Sequence, residues 1–204
     1  MRFLNLFFLF SFCACGQQSK KYSVNPEAKK LNDSAISIAR YSMDYKTAVD
    51  LLDKAIQIHI NYFSAYNNKL SFLGIIKPFD FDKFLIILKN LNRLRPEDPE
   101  YYNSIGLLYY KKGDTILSQK YFFAAASHYA KILDTLPKTR SGYDVLIMDQ
   151  AVNFILIRQE SKGKDLLKKV YKETKDSVYK EILFPMINKS RQEILHEVMR
   201  AIPQ

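Results

Sequence analysis

Cysteine is nearly missing from this 204-residue chain: the two that occur, Cys13 and Cys15, stand together near the start. Nothing after residue 15 can form a disulfide, a cysteine-ligated zinc site or a catalytic thiolate. Glycine is scarce too. The six glycines, at positions 16, 74, 106, 113, 142 and 163, never fall into a Gly-x-x-x-x-Gly-Lys or Gly-x-Gly-x-x-Gly spacing, so no loop is encoded that would cradle a phosphate. The three histidines, His59, His128 and His196, are isolated, and neither a His-Glu-x-x-His pair nor a Gly-x-Ser-x-Gly elbow occurs, which removes the usual zinc and serine-nucleophile arrangements. Each histidine reads as a helix-surface or boundary residue. Glu97, Asp98 and Glu100 follow Pro96 and read as the acidic start of a helix rather than an acid/base pair. Asp80 and Asp82 are too few for a cation loop, and Asp80 reads as a helix N-cap. The expectation is a chain with no catalytic residues, no metal and no cofactor, hence not an enzyme.

What the chain does have begins at its first residues. Arg2 precedes an apolar run from Phe3 to Phe12, which has the form of an export signal and is too short for a bilayer-spanning helix of roughly 20 residues. The run ends in Phe12-Cys13-Ala14-Cys15-Gly16, which resembles the lipobox of bacterial lipoproteins, where a small residue precedes the cysteine that becomes diacylated and N-terminal. The resemblance implies a signal peptide over 1–14, lipidation at Cys15 and a location in the bacterial cell envelope, lipid-anchored to a membrane. Residues 15–25 are polar and aperiodic, so they read as a flexible tether; about ten such residues reach roughly 17 Å. The net charge is +10. It suits an anionic surface, but in a Lys-, Asn- and Ile-rich exported chain it reads as compositional habit, and no nucleic acid is expected.

Long apolar-periodic segments with little glycine or proline predict an all-α chain. A repeated spacing runs through them. Its clearest copy has Tyr102, Ile105, Gly106, Tyr109 and Gly113, then Phe122 and Ala125, with Ser118 in place of a usual alanine. An earlier copy has Ala35, Ile36, Ala39, Met43, Tyr45, Ala48, Leu52 and Ala55, and between them Tyr66, Leu70, Leu73, Phe84, Leu88 and Leu91 run to Pro96, with a longer turn over 77–82. These offsets resemble those of the tetratricopeptide repeat (TPR) family, whose 34-residue units are helical hairpins that stack because none can bury its apolar side alone. The resemblance implies three hairpins over 26–137 in a right-handed superhelix. Ala151, Phe154, Gly163, Leu167 and Val170 continue it loosely, so 138–204 is expected to hold a degenerate fourth hairpin, with helices Asp144–Arg158 and Lys164–Glu173, and C-terminal capping helices over 177–201 kinked or broken at Pro185. Glycine within a helix costs about 1 kcal/mol relative to alanine, so Gly106 is expected to admit a neighbouring helix closely, and Gly113 to end the first helix.

In that family ligands lie in a concave groove lined by the first helix of each hairpin. Carrying the offsets over gives Asp33, Ser37 and Arg40, then Asn67 and Ser71, then Asn103, Leu107 and Tyr110. One subset of the family grips a peptide C-terminal carboxylate. Asn68 matches one of its positions, but Asp33, Ser37, Glu100 and Ser104 stand at the others, so that clamp is absent. Tyr102, Tyr109 and Phe122 read as hairpin core, whereas Tyr41, Tyr101 and Tyr110 lie off the core offsets and are expected on a contact surface. A basic stretch carries Arg158, Lys162, Lys164, Lys168, Lys169 and Lys172 against two acids. Leu166, Leu167 and Val170 keep helical spacing there, which makes it an amphipathic helix with a basic face. The function these features imply is a membrane-tethered, non-catalytic adaptor that binds a protein or peptide partner. An accessory subunit for a sugar or small ligand, or with an unrecognised enzymatic site, is one alternative; docking of 158–172 on an anionic surface is another.

Overall fold

A computed structural model describes residues 23–200 and residue 202. The expected signal peptide, Cys13, Cys15 and most of the tether lie outside the described residues. The fold is all-α and built of TPR-like helical hairpins: among the described residues there are ten helices and no strand. They fall into two compact units that divide between Pro96 and Glu97.

The first unit contains α1 (Pro26–Ser42), α2 (Tyr45–Ile58), α3 (Phe63–Ile75) and α4 (Phe81–Leu94). Each packs on the next, and α1 also meets α3. Helix α1 starts where Asn25 accepts from the Glu27 and Ala28 backbone N–H groups at 2.9 and 3.4 Å, ahead of Pro26 at a first-turn position that needs no donor. Its buried stripe is Ala28, Asn32, Ala35 and Ala39. The facing helix buries Ala48, Leu52 and Ala55 completely, so small side chains on both sides let the pair approach closely. Leu52 and Leu91 are wholly enclosed, each contributing about 1.5–3 kcal/mol relative to exposure. Asp44 caps α2 and Asp80 caps α4 through the backbone N–H groups of Thr47 and Lys83, the latter as the sequence indicates.

The second unit contains α5 (Pro99–Lys111), α6 (Thr115–Thr135), α7 (Tyr143–Leu156), α8 (Glu160–Glu173), α9 (Ser177–Asn188) and α10 (Arg191–Arg200). Each helix from α5 to α8 packs on its successor, and α10 returns to α7. Gly106 does what its position suggests: a Cβ there would stand 2.6 Å from the Phe122 ring and 3.2 Å from the Ser118 carbonyl. Gly163 has the same role in the fourth hairpin, where a Cβ would run into the Ala151 carbonyl and the Ile155 side chain. The core joining α7 to α10 is Ala151, Ile155, Leu167, Val170, Leu183 and Ile194.

The tight turns share one backbone device. A left-handed residue sits between α1 and α2 (Met43, φ 52°), between α5 and α6 (Gly113, φ 81°) and between α7 and α8 (Arg158, φ 66°). In the last two the following N–H reaches back to a carbonyl five residues earlier, Asp114 to Tyr109 at 2.9 Å and Gln159 to Phe154 at 2.8 Å, which is the Schellman closure of a helix C-terminus. Only the middle copy uses the residue type that adopts this conformation freely.

Three expected boundaries move. Helix α7 stops at Leu156, not Arg158, because the left-handed Arg158 belongs to the turn. Helix α8 begins at Glu160, four residues before Lys164, with the acid in its first turn and a 2.8 Å ion pair between the two. Pro185 neither breaks nor ends its helix, which runs on to Asn188. The break comes at Ser190, whose hydroxyl accepts from the Glu193 N–H while the Glu193 carboxylate accepts from the Ser190 N–H and hydroxyl at 2.7 Å. That reciprocal cap starts α10.

Candidate functional site

In the first unit the expected groove residues lie along α1 and α3. Asp33, Ser37, Arg40 and Ser71 are exposed, and Asn67 is half-buried. A shallow depression along α1 is lined by Pro26, Lys29, Lys30, Asp33, Ser34 and Ser37. Beneath this polar rank Asn68 donates to the side-chain carbonyl of Asn32 at 2.8 Å, and Asn32 is only 3% exposed. The amide of Asn68 is therefore committed to holding α3 against α1. Asp33 pairs with Lys29 at 2.9 Å, and that hydrogen bond holds its carboxyl below the usual range and raises the lysine. Both partners are exposed, so the pair adds little stability and stays available to a ligand. The Ser71 hydroxyl donates to the Asn67 carbonyl at 3.1 Å.

In the second unit Asn103 is half-buried and fully engaged: it donates to the Tyr129 hydroxyl at 3.3 Å and accepts from Asn153 at 2.7 Å. Asn153 also donates to the Phe122 carbonyl at 3.0 Å. This bridge joins α5 to α7, as Asn68 and Asn32 join α3 to α1. Tyr110 is half-buried, while Leu107 is only 5% exposed and offers almost nothing to a ligand. Tyr41 is exposed, but Tyr101 is buried. The reason is that Tyr101, Ile105 and Leu108 form a second buried stripe on α5, which the intra-hairpin offsets do not register.

Two acids near this bridge have displaced titrations. Burial, followed by the charges of Asp98 and Asp149, pushes the Glu100 carboxyl up to about 8. Burial alone raises Asp149 to about 7. Tyr129, wholly buried beside them, is raised well above the usual phenol range by burial first. Asp149, Asn153 and Asn32 escaped the sequence reading. A usable signal existed: in the largely apolar stretch Val145–Leu156, whose only other polar residue is Gln150, Asp149 and Asn153 stand four apart, a spacing that puts them on one helix face.

The basic stretch divides. Arg158 is exposed in the turn before α8; Lys162 lies 3.9 Å over the Phe154 ring, and Lys164 and Lys168 face Glu160 and Asp165 at 2.8 and 3.8 Å. Lys169 and Lys172 are exposed. Half the cations thus have local partners, which weakens the face as an anionic-surface dock. Of the histidines, His128 stacks on Tyr102 with centroids 4.7 Å apart and is lowered by burial, His59 caps the end of α2, and His196 is exposed on α10. Among the described residues no three His, Cys, Asp or Glu side chains are grouped to hold a metal ion, and no helix is long and apolar enough to cross a membrane.

No family model and no curated protein sequence matches the chain. Among solved structures it is similar to MamA, residues 41 to the end, from Desulfovibrio magneticus RS-1, at 19% identity and a TM-score of 0.46 over 71% of this chain and 74% of that one.

Proposed function

We propose that this chain is a non-catalytic binding scaffold that carries a protein or peptide partner on the first helices of its hairpins, tethered to a bacterial envelope membrane by a lipid on Cys15. The observation that carries the reading is the exposed polar rank Asp33, Ser37, Arg40 and Ser71 held over the buried Asn32–Asn68 bond. A surface whose backbone is already fixed costs less to order on binding, and it offers hydrogen-bonding groups at one-turn intervals. The lipobox-like Ala14-Cys15 supports the anchoring, which would confine the search for a partner to a surface and raise its effective concentration.

The test compares affinity capture by the membrane-anchored protein with capture by a D33A/S37A/R40A variant, all three being exposed positions that leave the core intact. Loss of a partner from the variant is expected. Unchanged capture of every partner would overturn the α1 surface as the binding site. For the anchor, Cys15→Ala should abolish incorporation of labelled palmitate, and undiminished labelling would reject Cys15 as the lipidated residue.

A further inference from the structure

The turn from α2 to α3 carries apolar side chains that the fold leaves uncovered: Ile60 is 62% exposed and Ile58 37%. Its backbone is nonetheless fixed. The Arg93 guanidinium, from the last turn of α4, donates to the Ile60 carbonyl at 3.4 Å and to the Asn61 side-chain oxygen at 3.0 Å. Within the turn the Tyr62 N–H donates to the His59 carbonyl at 2.9 Å. A loose loop would fold such residues back onto the unit; this one holds Ile60 outward. Single exposed apolar residues are ordinary on a protein surface, so what matters here is what surrounds the turn.

Cations gather at the same end of the first unit. Arg93 and Arg95 are exposed at the end of α4, and the Arg95 guanidinium lies 3.7 Å over the Phe63 ring at the start of α3. Lys54 is exposed one turn before Ile58 on α2, so the two share a face. The neighbouring Asp53 is already joined to Lys69, and Asp50 lies a further turn back from the α2–α3 turn. The chain also enters here. Asn32 in the second turn of α1 accepts from Asn68 in the second turn of α3 at 2.8 Å. Helices α1 to α3 are joined by short turns and pack in succession, so α1 and α3 run parallel and Pro26 stands level with Phe63. Ser23 is eight positions after Cys15, a separation of roughly 16 Å for a flexible chain.

We propose that the α2–α3 turn rests on the anionic phospholipid surface of the membrane that holds Cys15, with Ile60 entering the headgroup layer and Lys54, Arg93 and Arg95 meeting lipid phosphates. The presence of the bilayer rests on the lipid anchor at Cys15; the face turned toward it rests on these residues. An apolar side chain gains by entering the acyl boundary, and each cation near an anionic bilayer adds to that gain. One such turn is too small to hold a soluble protein on a membrane. A lipid close to the start of α1 makes the contact intramolecular, so a weak surface suffices. The opposite end of the unit exposes Tyr41 and Met43, but it lies about 25 Å away along α1, beyond the ordinary reach of the tether. Docking by the α2–α3 turn stands α1 on end, with Asp33, Ser37 and Arg40 at increasing height above the bilayer.

The test uses the lipidated protein in vesicles of phosphatidylcholine and phosphatidylglycerol in equal parts, with a nitroxide carried on a fraction of the headgroups. Signal cleavage removes Cys13 and lipidation occupies the Cys15 thiol, so a bimane attached through Ser64→Cys, beside the turn, or Ser42→Cys, at the far end of α1, is the sole label. Both positions are exposed. Quenching is expected to be at least threefold stronger at Ser64 than at Ser42. It should fall by at least half at Ser64 in I60S, in K54E/R95E, and in vesicles of phosphatidylcholine alone. Quenching no stronger at Ser64 than at Ser42, or unchanged in either variant or in phosphatidylcholine alone, would overturn the proposal. Thermal melts establish that each variant keeps its fold, and I60S, which alters one exposed side chain, decides the matter should the charge variant not. Failure of the anchor shows separately, as absence of palmitate labelling, and overturns both readings; palmitate labelling with equal quenching rejects this face alone.

Discussion

Asn153 on α7 donates to the side-chain oxygen of Asn103 on α5 at 2.7 Å, and the same kind of bond, Asn68 to Asn32 at 2.8 Å, ties α3 to α1 in the other unit. Apolar contacts between first helices would be indifferent to small slips; an amide pair has one geometry. In both units a polar pair thus fixes the register of the first helices, on which the proposed binding surfaces depend.

Asn153→Ala should destabilise the second unit by about 2 kcal/mol, because it removes two buried hydrogen bonds and strands the Asn103 oxygen. In chemical denaturation, N103A and N153A combined should cost less than the sum of the two, by about 1 kcal/mol, since each alone already breaks the shared bond. Strict additivity would show that the two amides do not act as a pair.

Stability should fall as pH rises from about 5 to about 9. Glu100 and Asp149 have folded-state titrations raised from 4.5 to about 8 and from 3.8 to about 7. The folded protein therefore holds protons that the unfolded chain has released. This contribution is complete below the unfolded values near pH 4 and disappears as pH passes through about 7 and then about 8. With both groups half-exposed, the combined loss is on the order of 2 kcal/mol. Thermal melts of E100Q/D149N across that range should be flatter than wild type and higher at the alkaline end.

The buried glycines should differ in kind from the turn glycine. Gly163→Ala drives a methyl against the Ala151 backbone carbonyl, and Gly106→Ala drives one against the Phe122 ring. Overpacking of this type costs about 1–3 kcal/mol, with Gly163 at the upper end because a backbone cannot rotate away as a ring can. Gly113→Ala has open space around it and should lose only the left-handed preference, about 1 kcal/mol. Equilibrium unfolding of the three variants gives the ranking.

Met43 and Arg158 occupy the conformation that Gly113 adopts, and both are exposed. Replacing either with glycine should therefore stabilise the protein by up to about 1 kcal/mol. A lower melting temperature for both variants would mean that the side chains make contacts worth more than the backbone relief.

The hairpins were legible because their signals are local. Small residues at fixed offsets, Asp80 as a cap and Gly106 at the helix crossing are all readable from short windows. Tyr101 was misplaced because its burial follows from a second packed face of α5, which one repeat's offsets cannot reveal. Pro185 was given too much weight: it loses one hydrogen bond, whereas Ser190 and Glu193 supply a positive start signal a few residues later. The acids were hidden for another reason. Glu100 looks like an ordinary first-turn acid until Asp149, 49 positions later in the sequence, is brought beside it, and no periodicity joins two helices that far apart.

The return of α10 to α7 changes how the second unit must come apart. The Leu156 carbonyl accepts from Gln119 on α6 at 3.2 Å and from the Arg191 guanidinium on α10 at 3.3 and 3.1 Å, so one peptide oxygen joins three helices that are not all consecutive. A strictly linear array touches only its neighbours and can fray from its end one repeat at a time. Here α10 cannot leave without uncovering the C-terminal end of α7, inside the fourth hairpin. Hydrogen exchange in α7, α8 and α10 should consequently proceed through one shared opening, making this end of the chain a cooperative block rather than a loose tail.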